Sequence, residues 1–427
     1  MSKKNQYLFP LILVTSLFFL WAFLHNINPI LIPHLKKACQ LTDTQSSFID
    51  ISVSLAYFLI AIPAGIFMQK FGYKKGVLFG LALYAIGALL FIPAADSRNY
   101  TFFLAAIFIV ASGATFLETV ANPYITVLGD KETSEQRLNF AQSFNGVGAF
   151  LAPIIGGQVI LSGVEYSREQ LNAMSPGALN AYLQTEADAV KTPYTVIGLA
   201  VVVLIILFLF TKLPEVKAED SEEHIGSSNF SLKVLRHRHL KMAVLAQFFY
   251  VGAQVGVGSF FIRYARYVAD MSEKNAAFAF GSIAMVGFMV GRFFGTFMMK
   301  YMKPAKLLSL YSAINVLLLL VAVLADGKVA LYSVMAIPFF MSIMFPTIFA
   351  LGIKGLGEET KIASSFIVMA IIGGAVAPVL MGLISDQTGS IQVAYIVPLL
   401  CFLVILYFGL EGHKVKEPRP GVDLDKI

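Results

Sequence analysis

Charge and cysteine are both scarce in this chain. Only 14% of its 427 residues are Asp, Glu, Lys or Arg, against about 25% in soluble domains, so a water-soluble globular class is excluded. The two cysteines, Cys39 and Cys401, stand near opposite ends. They are too few for a disulfide framework and suggest neither metal nor redox chemistry. No metal-spaced His or Cys set, no nucleophile placed beside a base and no cofactor loop is visible. A membrane-embedded enzyme therefore has nothing to work with, and no catalytic residue, metal or cofactor is expected.

What the chain has in quantity is hydrocarbon: 57% of its residues are hydrophobic. A helix needs about 20 apolar residues to cross a bilayer core. Twelve runs meet that need, over residues 7–34, 48–68, 77–94, 102–127, 138–161, 194–210, 240–268, 276–299, 307–324, 329–351, 362–385 and 393–410. Backbone groups in lipid must be satisfied internally, and runs this long and uniformly apolar are helices, not barrel strands. The first run is too long for a cleaved signal and lacks a small-residue cleavage site, so it is expected to stay as span one. Lys and Arg crowd alternate loops, among them Lys70, Lys74, Lys75, Lys212, Arg236, Arg238, Lys300, Lys303 and Lys306. Orientation in the bilayer explains the net charge of +6 better than nucleic acid does, and it places both termini in the cytoplasm.

Two connections are long. Residues 162–193 form a polar outer one, and residues 211–239 a charged inner one that separates six spans from six. The expected division is a bundle over 1–212, a linker over 213–238 and a second bundle over 239–427. An internal repeat supports it. GIFMQKFGYKK after span two is matched by GTFMMKYMKPAK after span eight. Pro123 and Gly129 in span four recur as Pro346 and Gly352 in span ten, and Gly148, Pro153 and Gly157 in span five as Gly373, Pro378 and Gly382 in span eleven. The separations are nearly constant. Parallel repeats of this kind build transporters that rock two bundles about a central site.

Span four carries the sharpest anomaly. Its stretch ASGATFLETVANPYITV sets a carboxylic acid, Glu118, and one turn later an amide, Asn122, inside an apolar run. A carboxylate in hydrocarbon costs a few kcal/mol or more, and such residues usually face a wet cavity. At i and i+4 the two side chains share one helix face. Glu118 is expected to carry protons or to grip a polar solute. Arg292, deep in span eight, reads as a gate or helix-end contact.

The Gly65–Lys75 stretch resembles the loop signature of the major facilitator superfamily, with Lys70 and Lys74 as candidate inner-gate residues and Gln69 where that pattern has an aspartate. Five longer stretches narrow the resemblance: LFFLWAFLHNINPILIPHL, FLETVANPYITVLG, RLNFAQSFNGVGA, AVLAQFFYVGAQVGVGSFFIRYA and SSFIVMAIIGG. Together they are similar to the L-fucose:proton symporter family over essentially the whole chain. The resemblance implies an all-α membrane protein of twelve transmembrane helices in two pseudo-symmetric six-helix bundles. It also implies a monomer in a bacterial inner membrane that imports a monosaccharide, with L-fucose first, together with protons. Carried over residue by residue, it assigns sugar recognition and proton coupling to Glu118, matches Gln142 and Asn145 to cavity-facing amides of span five and matches Asn26 to an amide of span one; with Asn122 on the Glu118 face, all of these are expected to bind substrate. Gln247, Tyr250 and Gln254 match the polar face of span seven, and their i, i+3, i+7 spacing places them on one stripe independently. Amides and a carboxylate can pair with hydroxyls that both donate and accept, while an aromatic covers a sugar's C–H face.

One departure bears on coupling: where the family has a span-one acid, this chain has Pro29, which cannot titrate. Asp50 in span two, or Glu118 alone, then carries the protons, although Asp50 also reads as an acid at the solvated edge of its span. Alternatives of the same kind are a glucose/galactose porter or an exporter. A non-transporting sugar sensor would need a soluble signalling module, which neither the inner connection nor the tail after Leu410 supplies.

Overall fold

The structure of the protein is a computed structural model that describes residues 8–26, 35, 38–41, 43–160, 170–171, 173–211, 213, 232–271 and 273–415. Its described residues form helices joined by short turns, with no strand among them. Among the described residues nine helical stretches are long and apolar enough to cross a bilayer. One of these holds two of the expected spans, and Leu8–His25 and Ser134–Ile160 complete the twelve. Span one is Leu8–His25, spans two and three share Asp43–Ser97, span four is Tyr100–Val127, span five Ser134–Ile160 and span six Lys191–Phe210. Spans seven and nine are Arg238–Ala269 and Pro304–Leu324, while eight, ten, eleven and twelve occupy 273–298, 327–352, 360–388 and 391–412. The outer connection carries a helix of its own, Pro176–Asp188, capped by the Ser175 hydroxyl.

Sequence explains the breaks. Spans two and three part at Gly72, whose φ of 85° is open to a residue without Cβ. Hydroxyls inside the spans satisfy themselves on their own helices, as Ser112 does on Phe108 O at 2.7 Å and Thr115 on Ala111 O at 2.8 Å. Prolines do the opposite, because a missing N–H leaves the carbonyl four residues earlier without its helical partner. Span ten breaks at Ser342–Ile343, four residues before Pro346.

The repeat is visible in packing. A Cβ on Gly148 would overlap the Phe19 carbonyl of span one, and a Cβ on Gly373 would overlap the Phe248 carbonyl of span seven. Each glycine thus lets the fifth span of its six touch the first, backbone to backbone. Between the sixes, span two packs on span eleven and span five on span eight, an exchange-symmetric pair, with spans four and five also meeting eleven and ten.

These contacts are tightest at one end of the bundle, which we call the basic end because the turns near Lys70, Lys300 and Lys354 lie there. Lys354 Nζ meets Glu135 Oε1 at 2.7 Å, with Glu135 buried. Gln136 Nε2 donates to Thr296 O at 3.2 Å, and Asn139 Nδ2 donates to Thr347 Oγ1 at 3.1 Å. The Lys361 ammonium lies 5.4 Å from the Tyr73 ring centroid. The protein is closed at the basic end.

Candidate functional site

Glu118 is buried, 7% exposed, midway along span four. The Tyr57 hydroxyl of span two stands near its carboxylate, and the Arg292 guanidinium acts on it at Coulombic range. Among the described residues no ion pair holds the carboxylate, and the side chain is turned away from the outer surface. Tyr57 also lines a hollow of about 20 Å³ together with Trp21, Tyr84 and Tyr194, room for about one water.

From this acid a chain of hydrogen bonds leads across the molecule. Asn122 Nδ2 donates to the Glu118 main-chain oxygen at 2.8 Å. Gln142 Nε2 of span five donates to Asn122 Oδ1 at 3.0 Å. Arg292 of span eight then donates through Nη1 to Gln142 O at 2.6 Å and to Asn145 Oδ1 at 2.9 Å, and through Nε to Ser342 O at 2.9 Å. Its plane lies 4.5 Å from the Phe288 ring. The guanidinium is buried with neutral acceptors only, an arrangement that a rigid fork of five donors can satisfy and an ammonium cannot.

Proline chemistry supplies one of those acceptors. Ser342 O is the carbonyl freed by Pro346, and Arg292 takes it. The equivalent Pro123 frees Thr119 O, which accepts from the Ser364 hydroxyl of span eleven at 3.3 Å. Each freed carbonyl therefore becomes an anchor for another span.

The span-seven residues lie on the helix Arg238–Ala269. Gln247 and Tyr250 are fully buried; neither amide atom of Gln247 has a hydrogen-bond partner, and the Tyr250 hydroxyl stands beside the Arg292 guanidinium. Buried polar atoms left unpaired cost about 1–3 kcal/mol each, which singles out the Gln247 amide on this stripe. Gln254 is half-buried farther along the same helix.

Other expected residues fall elsewhere. Asn26 turns back on its own helix, Nδ2 donating to Ala22 O at 2.7 Å, and is outside the cluster. Lys74 stays within its own six spans, donating to Leu209 O and Thr211 O, both at 2.9 Å, and so capping span six. Lys70 is exposed over the Phe71 ring. Ties across the basic end come from Lys354 and Lys361 instead. Asp50 sits in the helix of span two, but its side chain lies outside the described residues, as do Pro29 and most of the linker. Sequence reading passed over Tyr57, Glu135, Lys354 and Ser342. A tyrosine in an apolar span and opposite charges in two equivalent loops were available signals; the Ser342 carbonyl had none beyond Pro346.

Comparison with known proteins agrees with this geometry. Residues 12–371 match the model of the Major Facilitator Superfamily. The chain is 45% identical to the L-fucose-proton symporter of Escherichia coli (strain K12), covering 95% of this chain and 94% of that protein. It is 40% identical to the glucose/galactose transporter of Brucella abortus biovar 1 (strain 9-941), covering 97% and 96%. Among solved structures it superimposes on FucP, a Major Facilitator Superfamily transporter in the outward conformation, with TM-score 0.88, 44% identity and coverage of 95% and 98%.

Proposed function

The chain belongs to the Major Facilitator Superfamily, and from that premise we propose that it is a monosaccharide:proton symporter, with L-fucose as the leading substrate. Relatives named for L-fucose and for glucose and galactose both span nearly the whole chain. The observation that carries the reading is a buried carboxylate, in no ion pair among the described residues, on the same span as the Asn122 amide that begins a hydrogen-bonded chain joining spans four, five and eight.

The mechanism follows from charge and from what is tied to what. With the basic end cytoplasmic and the protein in a bacterial inner membrane, closure at that end is the outward-facing state. Residues 1–212 and 239–427 move as two bodies about the site, and the protein works as a monomer. A proton neutralises Glu118, and a sugar pairs its hydroxyls with Asn145, Gln247, Tyr250 and Gln254. An uncharged site then crosses the occluded state without the cost of carrying a bare carboxylate through low dielectric. Opening inward requires Arg292 to give up Gln142 and Asn145, and Lys354 to give up Glu135. Arg292 is thus the gate residue that also touches the sugar-facing amides. Lys74 serves the gate indirectly, by fixing span six.

The test is uptake of labelled L-fucose into proteoliposomes, with glucose, galactose and other epimers as competitors and the external pH varied. Accumulation driven by acid outside, with L-fucose the strongest competitor, is expected. Accumulation indifferent to pH would sink proton symport. Stronger competition by glucose or galactose would reassign the sugar and leave the mechanism standing.

A further inference from the structure

The outer wall of the second six spans carries a feature that sugar transport does not use. Near the basic end, the first two turns of span seven and the last two of span twelve enclose a groove of about 340 Å³ lined by Met242, Leu245, Leu403, Val404, Tyr407 and Phe408. Its walls are apolar and open to the bilayer: Leu245, Leu403 and Tyr407 are 43%, 42% and 48% exposed. The floor is shaped by the end of span twelve, where Phe408–Gly412 winds as a π-helix and Gly412 comes up against Met242. Such a widened turn re-aims side chains relative to a regular helix.

The rim is basic. Arg238 opens span seven and donates through Nη2 to the Tyr407 hydroxyl at 2.8 Å, which holds the guanidinium over the groove. Lys241, one turn on, is exposed and has no ion pair among the described residues. Among the described residues the acid at this rim, Glu411, pairs with Lys414 and lies within Coulombic range of Arg238. Two cations therefore stand above an apolar slot at the level where a bilayer's phosphates lie.

We propose that this groove is a binding site for an anionic glycerophospholipid. One acyl chain lies along Leu245, Leu403 and Val404, and the phosphate sits between Arg238 and Lys241. The guanidinium offers a bidentate fork to phosphate and the ammonium a point charge. Tyr407 supplies the amphipathic step between chain and headgroup. A zwitterionic lipid fills the same slot, but its own cation offsets the attraction.

Native mass spectrometry tests this without any transport assay. The purified protein is offered phosphatidylglycerol, phosphatidylcholine with the same chains, or inorganic phosphate. Retention of one phosphatidylglycerol with about tenfold preference over phosphatidylcholine is expected. Arg238→Gln with Lys241→Gln should erase the preference, whereas Arg238→Lys with Lys241→Arg should keep it in a folded protein. Leu245→Trp, which fills the slot, should lower retention of both lipids. Equal retention of the two lipids, a preference that survives the double Gln variant, or displacement of lipid by inorganic phosphate would each overturn the proposal.

Discussion

Pro123 and Pro346 hold equivalent places in the two sets of six spans, and each strips its helix of one hydrogen bond. What takes up the freed carbonyl differs. In span four a neutral hydroxyl, Ser364, reaches Thr119 O from the opposite six spans. In span ten a guanidinium, Arg292, reaches Ser342 O through Nε from its own six and donates through Nη1 to Gln142 and Asn145 across the divide. The register that pairs these prolines places Met341 opposite Glu118. The register that pairs Gly148 with Gly373 places Ile367 and Ala370 opposite Gln142 and Asn145. The backbone devices are repeated while the chemistry is not. The acid and the hydrogen-bonded amides Asn122 and Gln142 stand in the first six spans, and the cation, Tyr250 and the unpaired Gln247 in the second. On the proposed reading neither set holds a complete site, and the junction between them is where it would form.

Removing the acid is the most severe way to break this asymmetry. Glu118→Gln should abolish sugar-driven proton uptake in proteoliposomes, read with a pH-sensitive dye. Sugar counterflow, which needs no net proton movement, should persist. The wild-type rate should rise as external pH falls, because protonation is what discharges the site, and the variant should lose that slope. Native proton uptake by the variant would refute the coupling role.

Arg292→Gln comes next. It leaves Gln142 O, Ser342 O and Asn145 Oδ1 short of a donor, at about 1–3 kcal/mol for each buried acceptor. The population should shift toward opening at the basic end, seen as faster maleimide labelling of Gln136→Cys in a background with Cys39 and Cys401 replaced by serine. Arg292→Lys should rescue little, since a point charge cannot serve three acceptors in one plane. Unchanged labelling would show that the guanidinium is only packing.

The paired glycines test the half of the comparison that should be symmetrical. Gly148→Ala and Gly373→Ala each press a methyl against a carbonyl of the neighbouring span, at about 1–3 kcal/mol for overpacking. Both should lower the thermal unfolding midpoint by similar amounts. A loss at one site alone would mean that the two interfaces are not equivalent.

The smallest effect belongs to Lys354→Ala. Its side chain is 53% exposed, so the ion pair with Glu135 is worth about 1 kcal/mol or less. A modest rise in the same maleimide labelling is expected. A rise as large as that of Arg292→Gln would move the principal gate to the rim.

Much of this was written in composition and period. Lipid admits only backbones that satisfy themselves, so runs of apolar residues had to become helices, and their number and the near-constant repeat spacing followed without coordinates. Glu118 was legible because a carboxylate in such a run is costly, and the Gln247–Tyr250–Gln254 stripe because helical spacing puts those residues on one face. Partners were not legible. That Lys74 turns inward to cap span six while Lys354 and Lys361 bridge the two sixes depends on which helix ends meet, and chain order leaves this open. Nor could a linear reading show that Arg292 would find a carbonyl freed by Pro346 and two groups of span five. Hydrogen bonds reach about 3 Å, so they are decided only once packing has brought together residues that are some 150 positions apart.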